Sequence, residues 1–223
     1  MTKLMTTPAV RRPNDAGFTL VELLVASTIT MLVLGGAVTL TSQMQNSYRR
    51  QMEDNAAQQE GRYALDWIGR LIRGAGNNPF NKVVTPCPGA GTPIDAISFD
   101  PDADGIDNDI RLMTDSNPPD GQIGGTAGTC NQSNEDVTVS LDADNHALLF
   151  LDNNLGGGAS IRTDQVISDL RFIYYDSNHN LTAVADDVVF VDTQITIQTR
   201  TLNPATGLPV TRTISSEIRV RSR

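Results

Sequence analysis

The chain has 223 residues, a formal net charge of -9, two cysteines and two histidines. An acidic surface repels phosphate backbones, so no direct nucleic-acid partner is expected. Two cysteines are too few for a four-ligand zinc site, and a 39% hydrophobic content is typical of an ordered protein.

The first predicted element is an apolar helix that begins at Phe18. Glu22 is the only ionisable side chain between Phe18 and Thr41, and a helix of this length spans about 36 Å, more than the roughly 30 Å of a bilayer's hydrocarbon core. Residues 1–17 carry three basic side chains and one acidic side chain. No later apolar run is long enough to span a bilayer, so we expect a single crossing. Because basic flanks stay in the cytoplasm, we expect the C-terminal part to be exported.

The residues around Gly17 differ from an ordinary secretory signal, in which small residues follow the apolar core. Here Gly17 precedes it, so cleavage after Gly17 would keep the anchor and make Phe18 the new N-terminus. A carboxylate inside a membrane costs about 2.5–3.5 kcal/mol on insertion scales. The α-amine of Phe18 on a neighbouring subunit is a candidate partner for Glu22. The alternative is a plain signal anchor whose glutamate reaches the headgroups.

The run GFTLVE at residues 17–22 resembles the class III signal of type IV prepilins and pseudopilins. The resemblance implies cleavage after Gly17 by a prepilin peptidase, methylation of the new N-terminal Phe18, and an assembly role for Glu22. It implies other pilins or pseudopilins as partners of the N-terminal helix, together with inner-membrane assembly machinery. It also implies an inner-membrane location with the head in the periplasm, and later the pilus or cell surface.

The helix is predicted to continue to about Arg73, where a run of glycine, asparagine and proline stops it. We expect Trp67 to pack against the rest of the protein. The segment 62–76 resembles the end of the first helix in PilW-like minor pilins. Helical spacing predicts one apolar face made of Ala64, Leu65, Ile68, Leu71 and Ile72.

The remaining residues, 77–223, are predicted to form a β-rich head. The expected fold class is α+β and type IV pilin-like, with a long N-terminal hydrophobic helix packed on a C-terminal antiparallel β-sheet. No catalytic motif occurs, so an enzyme is not expected.

The predicted domains are 1–17 as leader, 18–76 as helix, with 18–41 as transmembrane segment and filament core, and 77–223 as head. Strands are predicted over 135–141, 146–152, 165–176, 189–201 and 210–221.

An aspartate-rich run, DPDADGIDNDIR at 100–111, begins like the calcium loop of an EF-hand, D-x-D-x-D-G. Arg111 stands where that loop has its bidentate glutamate, so a regular EF-hand is not expected. A solvated loop without an ion is the alternative to a calcium site. The candidate calcium ligands are Asp100, Asp102, Asp104, the carbonyl of Ile106, Asn108 and Asp109.

Cys87 and Cys130 bracket this aspartate-rich run. Because exported proteins meet an oxidising environment, we predict a disulfide between them. Two separate buried thiols are the alternative.

Three functions are open at this level. The first is a PilW-like minor pilin that primes or enters a type IV pilus. The second is a J-type minor pseudopilin of a type II secretion system, which shares the leader, the long helix and a β head. The third is a membrane-tethered enzyme or calcium-dependent binding module that uses the leader only as an anchor.

Overall fold

The computed structural model of this chain contains two compact units, one up to Arg49 and one from Arg50 onward. Residues 1–16 of the predicted leader lie outside the described residues, and so do Cys87 and Cys130. The disulfide therefore stays a prediction. The described residues are 17–78, 96–116, 119–125, 129, 131–204 and 206–220.

The helix α1 spans Leu20–Gly74, which confirms the predicted long helix. No proline interrupts this stretch, and the helix continues through the pair Gly35 and Gly36. In its first part, up to Arg49, every residue is exposed. This part therefore buries no side chain within its own unit.

The second part of α1, from Arg50, belongs to the head and buries one face. Leu71 is half-buried and packs on the same core. Close approach to the head explains one glycine: a Cβ added at Gly61 would lie 2.7 Å from Ile214 Cδ1 and 2.8 Å from Ile197 Cγ2. The buried positions recur every three or four residues, as the sequence predicted; they are Ala57, Gly61, Ala64, Leu65, Ile68, Gly69 and Ile72.

Five strands form the first sheet of the head, in the order β1-β2-β3-β4-β5, with every neighbouring pair antiparallel. The strand β2 starts beside the end of β3, since Asp109 pairs with Ser140. The loop between β1 and β2 holds most of the aspartate-rich run. The strands are β1 Ile97–Phe99, β2 Asp109–Met113, β3 Asp136–Asp142, β4 Ala147–Asp152 and β5 Ser160–Ile161.

Three longer strands form a second antiparallel sheet in the order β6-β7-β8. Along β7 the buried residues alternate with half-buried ones, as in a strand with one face on a core. The strands are β6 Ile167–Tyr175, β7 Phe190–Leu202 and β8 Pro209–Arg219, and a short 3-10 helix, Ala185–Asp187, lies between β6 and β7.

One hydrophobic core joins the helix to both sheets. Ile68 of α1, Val139 of β3 and Ile195 of β7 belong to the same buried cluster. Trp67 packs against this cluster, with its ring centroid 5.8 Å from that of Phe150, which confirms its predicted packing. The α+β, pilin-like fold class is thereby confirmed.

Two details of the head differ from the sequence prediction. The strands predicted after residue 135 lie close to β3, β4, β6, β7 and β8, but they divide between two sheets rather than forming one. The short strands β1 and β2 were not predicted. Because they contain only three and five residues beside a glycine- and aspartate-rich loop, their alternation is too brief to be recognised.

Candidate functional site

The residues that precede α1 close its first turn with a reciprocal pair of hydrogen bonds. The backbone N–H of Thr19 donates to Glu22 Oε2 at 3.0 Å, and the N–H of Glu22 donates to Thr19 Oγ1 at 3.3 Å. The hydroxyl of Thr19 also donates to Glu22 Oε2 at 3.0 Å. This arrangement is a capping box, in which a threonine and a glutamate three residues later satisfy each other's backbone N–H groups.

The capping box gives Glu22 a role inside its own chain that the sequence analysis missed. The signal was present, since Thr19 and Glu22 have the T-x-x-E spacing of such boxes. The backbone N–H and the hydroxyl of Thr19 both donate to the same oxygen of Glu22, Oε2. Because Phe18 directly precedes Thr19, cleavage after Gly17 creates an α-amine one residue away from these contacts.

Neither Gly17 nor Phe18 is required by the packing of the described residues. A Cβ added at Gly17 would meet no other described heavy atom within 4 Å, and the side chain of Phe18 is 87% exposed. The packing of the described residues therefore does not require glycine at position 17, whereas a peptidase that accepts only a small side chain would require it.

The hydroxyl groups of the apolar helix are all satisfied internally. Four threonines and two serines between residues 27 and 42 each donate to a backbone carbonyl three or four residues earlier, and Thr28 reaches two carbonyls. A hydroxyl bonded in this way does not need water, so these residues fit an environment of lipid or packed helices.

The same helix exposes a long series of large apolar side chains. Leu20 is 80% exposed and Leu32 is 77% exposed, and α1 is long and apolar enough to cross a membrane. Exposing this much apolar surface to water is unfavourable in free energy. Exposed apolar patches of this extent mark membrane or protein contact sites. This unit therefore needs a cover of lipid or other chains.

The second candidate site is the loop that connects β1 to β2. It brings together Asp100, Asp102 and Asp109, which each offer a carboxylate oxygen within 4.8 Å of the other two. Asp109 is the innermost of them, with only 1% of its surface exposed. Its Oδ1 atom is buried and has no hydrogen-bond partner among the described residues.

The surroundings of Asp109 disfavour its negative charge. Burial and the charge of Asp102 raise the pKa of Asp109 to about 6, with further contributions from Asp100 and Asp104, although the backbone N–H of Asp102 acts in the opposite direction. A carboxylate with a raised pKa beside like charges is a candidate functional group.

The other predicted calcium ligands lie outside this group of three. Asp104 uses Oδ1 to accept the N–H of Ile106 at 2.8 Å, and the carbonyl of Ile106 accepts the N–H of Asn108 at 2.8 Å. Asp104 and Ile106 are exposed, whereas Asn108 is half-buried. Their part in any ion site stays a prediction.

Arg111, the basic residue in the aspartate-rich run, pairs with a strand and not with the loop. Its Nε and Nη2 atoms donate to the two carboxylate oxygens of Asp136 at 2.8 and 2.6 Å, and these bonds raise the pKa of the guanidinium. Arg111 and Asp136 thus form a bidentate pair between β2 and β3.

A comparison with protein families identifies the first of the two sites. Residues 12–38 match the family described as the prokaryotic N-terminal methylation motif. This match supports the class III signal of type IV prepilins and pseudopilins, with processing by prepilin peptidase, assembly with other pilins and membrane anchoring. No match was found among curated proteins or among solved structures.

Proposed function

We propose that this type IV pilin-like chain is a PilW-like minor pilin that primes a type IV pilus or enters the filament. Its role is structural rather than catalytic. The methylation motif at residues 12–38 carries the proposal. It includes the start of α1, and the first part of this helix exposes apolar side chains throughout.

Before assembly, lipid covers this helix. The span from Phe18 to Thr41 is long enough to cross a bilayer once, and the basic leader keeps the N-terminus in the cytoplasm. The head then lies in the periplasm. Assembly exchanges lipid for neighbouring helices, and the internally bonded hydroxyl groups allow both environments.

Glu22 sets the register of the helices in the filament. Its carboxylate accepts hydrogen bonds from Thr19 in the single chain. After cleavage, we expect it also to accept a hydrogen bond from the α-amine of Phe18 of a neighbouring subunit. A charge-assisted bond of this kind is about twice as strong as a neutral one. An uncleaved chain has no such amine, so it cannot complete the pair.

Cleavage can be tested at Gly17, where the fold tolerates a side chain. Gly17→Leu should leave the chain folded but uncleaved, since the peptidase requires a small residue and no described atom fills that space. Gly17→Ala is the matched control and should be processed more fully. Mass spectrometry of the purified chain is expected to find N-methyl-Phe18 in the native protein and Met1 in the leucine variant.

The deletion phenotype then decides which filament the chain serves. Loss of pili with normal secretion supports the minor pilin. Loss of secretion with normal pili would instead assign a J-type minor pseudopilin of a type II secretion system. A native chain that still begins at Met1 would contradict both roles and leave a tethered enzyme or binding module.

A further inference from the structure

Among the described residues, Oδ1 of Asp109 is the one carboxylate oxygen that is buried without a hydrogen-bond partner, and the filament role does not explain it. Asp109 is 1% exposed, its Oδ1 has no hydrogen-bond partner among the described residues, and the carboxylates of Asp100 and Asp102 lie within 4.8 Å. Burying a carboxylate is costly unless a donor or a cation compensates it. The carboxylates of Asp100 and Asp102 add negative charge, and the backbone N–H of Asp102 leaves Oδ1 of Asp109 without a donor.

Two other buried acids in the head show what a structural carboxylate looks like here. Asp115 accepts the backbone N–H groups of Asp120 and Gly121, at 3.0 and 2.8 Å. Glu135 accepts those of Ser116 and Gly124, both at 2.9 Å. Each therefore replaces its lost hydration with backbone donors. Asp109 has the backbone N–H of Asp102 as a donor, but its Oδ1 has no donor, and the carboxylates of Asp100 and Asp102 lie close by.

We propose that the β1–β2 loop binds a calcium ion through the carboxylates of Asp100, Asp102 and Asp109. The ion takes the place of the missing donor at Asp109 Oδ1 and reduces the local charge from -3 to -1. This site is separate from the pilin function of the leader and helix.

The spacing of the three carboxylates suits calcium. Calcium binds oxygen at about 2.3–2.6 Å, so one ion can bridge oxygens up to about 5 Å apart, and it accepts six to eight ligands in flexible geometries. Three carboxylates leave places for waters and for the loop's carbonyl groups. Magnesium binds oxygen at about 2.0–2.1 Å in a nearly octahedral arrangement, so one ion bridges oxygens only up to about 4.2 Å apart.

The ion also has a structural consequence for the head. The carbonyl of Asp107, in the same loop, accepts the N–H of Phe172 in β6 at 2.9 Å. The loop therefore connects the five-stranded sheet to the three-stranded sheet. By fixing Asp102 of the loop to Asp109 of β2, a bound ion stabilises this connection and raises the melting temperature of the head.

A melting experiment on the full-length chain in detergent tests the site. Calcium at about 100 times its dissociation constant should raise the melting temperature by about 5–10 °C relative to EGTA. Calorimetric titration with calcium chloride should give a saturating heat of binding. Exported calcium modules have dissociation constants of about 0.1–1 mM, so reaching 100 times the dissociation constant requires about 10–100 mM calcium.

Two variants remove ligands, and a third changes only the net charge. Asp109→Asn and Asp100→Asn should each lose most of the calcium-dependent shift. Asp100 has a positive φ of 41°, a backbone region that asparagine tolerates well. Its two carboxylate oxygens accept the loop N–H groups of Asp104 at 3.0 Å and Gly105 at 2.9 Å, and asparagine keeps one of these two acceptors. Asp169→Asn, on an exposed position of β6, should keep the full shift. Circular dichroism verifies that each variant is folded.

Several results would overturn the proposal. Equal melting temperatures in calcium and EGTA with no heat of binding would remove the site altogether. A full shift in both ligand variants would place the ion elsewhere on the chain. An equal shift with magnesium at the same concentration would overturn the assignment to calcium.

Discussion

The two parts of α1 have the same backbone conformation but opposite relations to the rest of the chain. Up to Arg49 every residue of the helix is exposed, and leucine and valine contribute most of its large apolar side chains. From Arg50 to Gly74 the helix is mostly polar, yet it buries a stripe that includes Ile68 and Ile72 at 0% exposure.

This contrast distinguishes the part of α1 that contributes to the folding of the head from the part that is covered by lipid and other chains. Sequence changes in the second part of α1 should alter the stability of the head, because that part supplies side chains to the core. Changes in the first part should alter insertion and assembly, because the surroundings that cover it are lipid and other chains. The following predictions test this separation from the largest expected effect to the smallest.

The largest effect on stability is expected from Ile68→Ala. Ile68 is fully buried in the core that joins α1 to both sheets, and truncating such a residue costs about 2–5 kcal/mol of unfolding free energy. The matched variant is Leu32→Ala, which shortens an apolar side chain in the exposed part and should leave that free energy unchanged. Urea unfolding followed by Trp67, the chain's single tryptophan, measures both.

Equal losses in the two variants would contradict the separation of the helix into two parts. They would mean that the head depends on the membrane part for its own folding. A loss confined to Ile68→Ala, together with reduced filament incorporation for Leu32→Ala, would sharpen the comparison.

A smaller effect is expected from two glycines in the head part of α1. Replacing a helical glycine by alanine normally stabilises by about 0.5–1 kcal/mol. At Gly69 the added Cβ meets Ile218 at an ordinary 3.5 Å, so Gly69→Ala should show this gain. At Gly61 the added Cβ would be 2.7 Å from Ile214, and Gly61→Ala should be less stable than Gly69→Ala by about 1–3 kcal/mol.

Thermal melting of both glycine variants beside the wild type checks this prediction. A Gly61→Ala variant as stable as Gly69→Ala would show that Ile214 and Ile197 move aside without cost. The close approach of helix and sheet would then not explain the glycine.

Sequence reasoning worked best where a single physical pattern extends over many residues. The apolar run after Phe18, the helical spacing of Ala64, Ile68 and Ile72, and the alternation along β7 all correspond to observed elements. Each pattern has enough repeats to distinguish a helix from a strand.

It worked least well where a structure depends on contacts between distant segments. The division into two sheets, and the pairing of Arg111 with Asp136, follow from strand register and not from local composition. The aspartate-rich run shows both cases. Its motif placed Asp100, Asp102 and Asp109 among the candidates, but only the fold shows that these three converge and that Asp109 is buried.

The most direct test of the account asks whether Glu22 is needed for its charge or for its hydrogen bonds within the helix. Glutamine at this position can still close a capping box with Thr19, but it carries no charge. Thr19→Ala has the opposite effect, since it weakens the box and keeps the carboxylate. The measurement is the amount of each variant in isolated filaments, with normal cleavage of both verified by mass spectrometry.

We predict that Glu22→Gln reduces incorporation by at least about tenfold, as expected when a charged hydrogen bond worth about 1.5–3 kcal/mol is lost. Thr19→Ala should cause a smaller reduction. Normal incorporation of Glu22→Gln, with failure of Thr19→Ala, would show that the glutamate only caps its own helix and would contradict pairing with the α-amine of a neighbouring subunit.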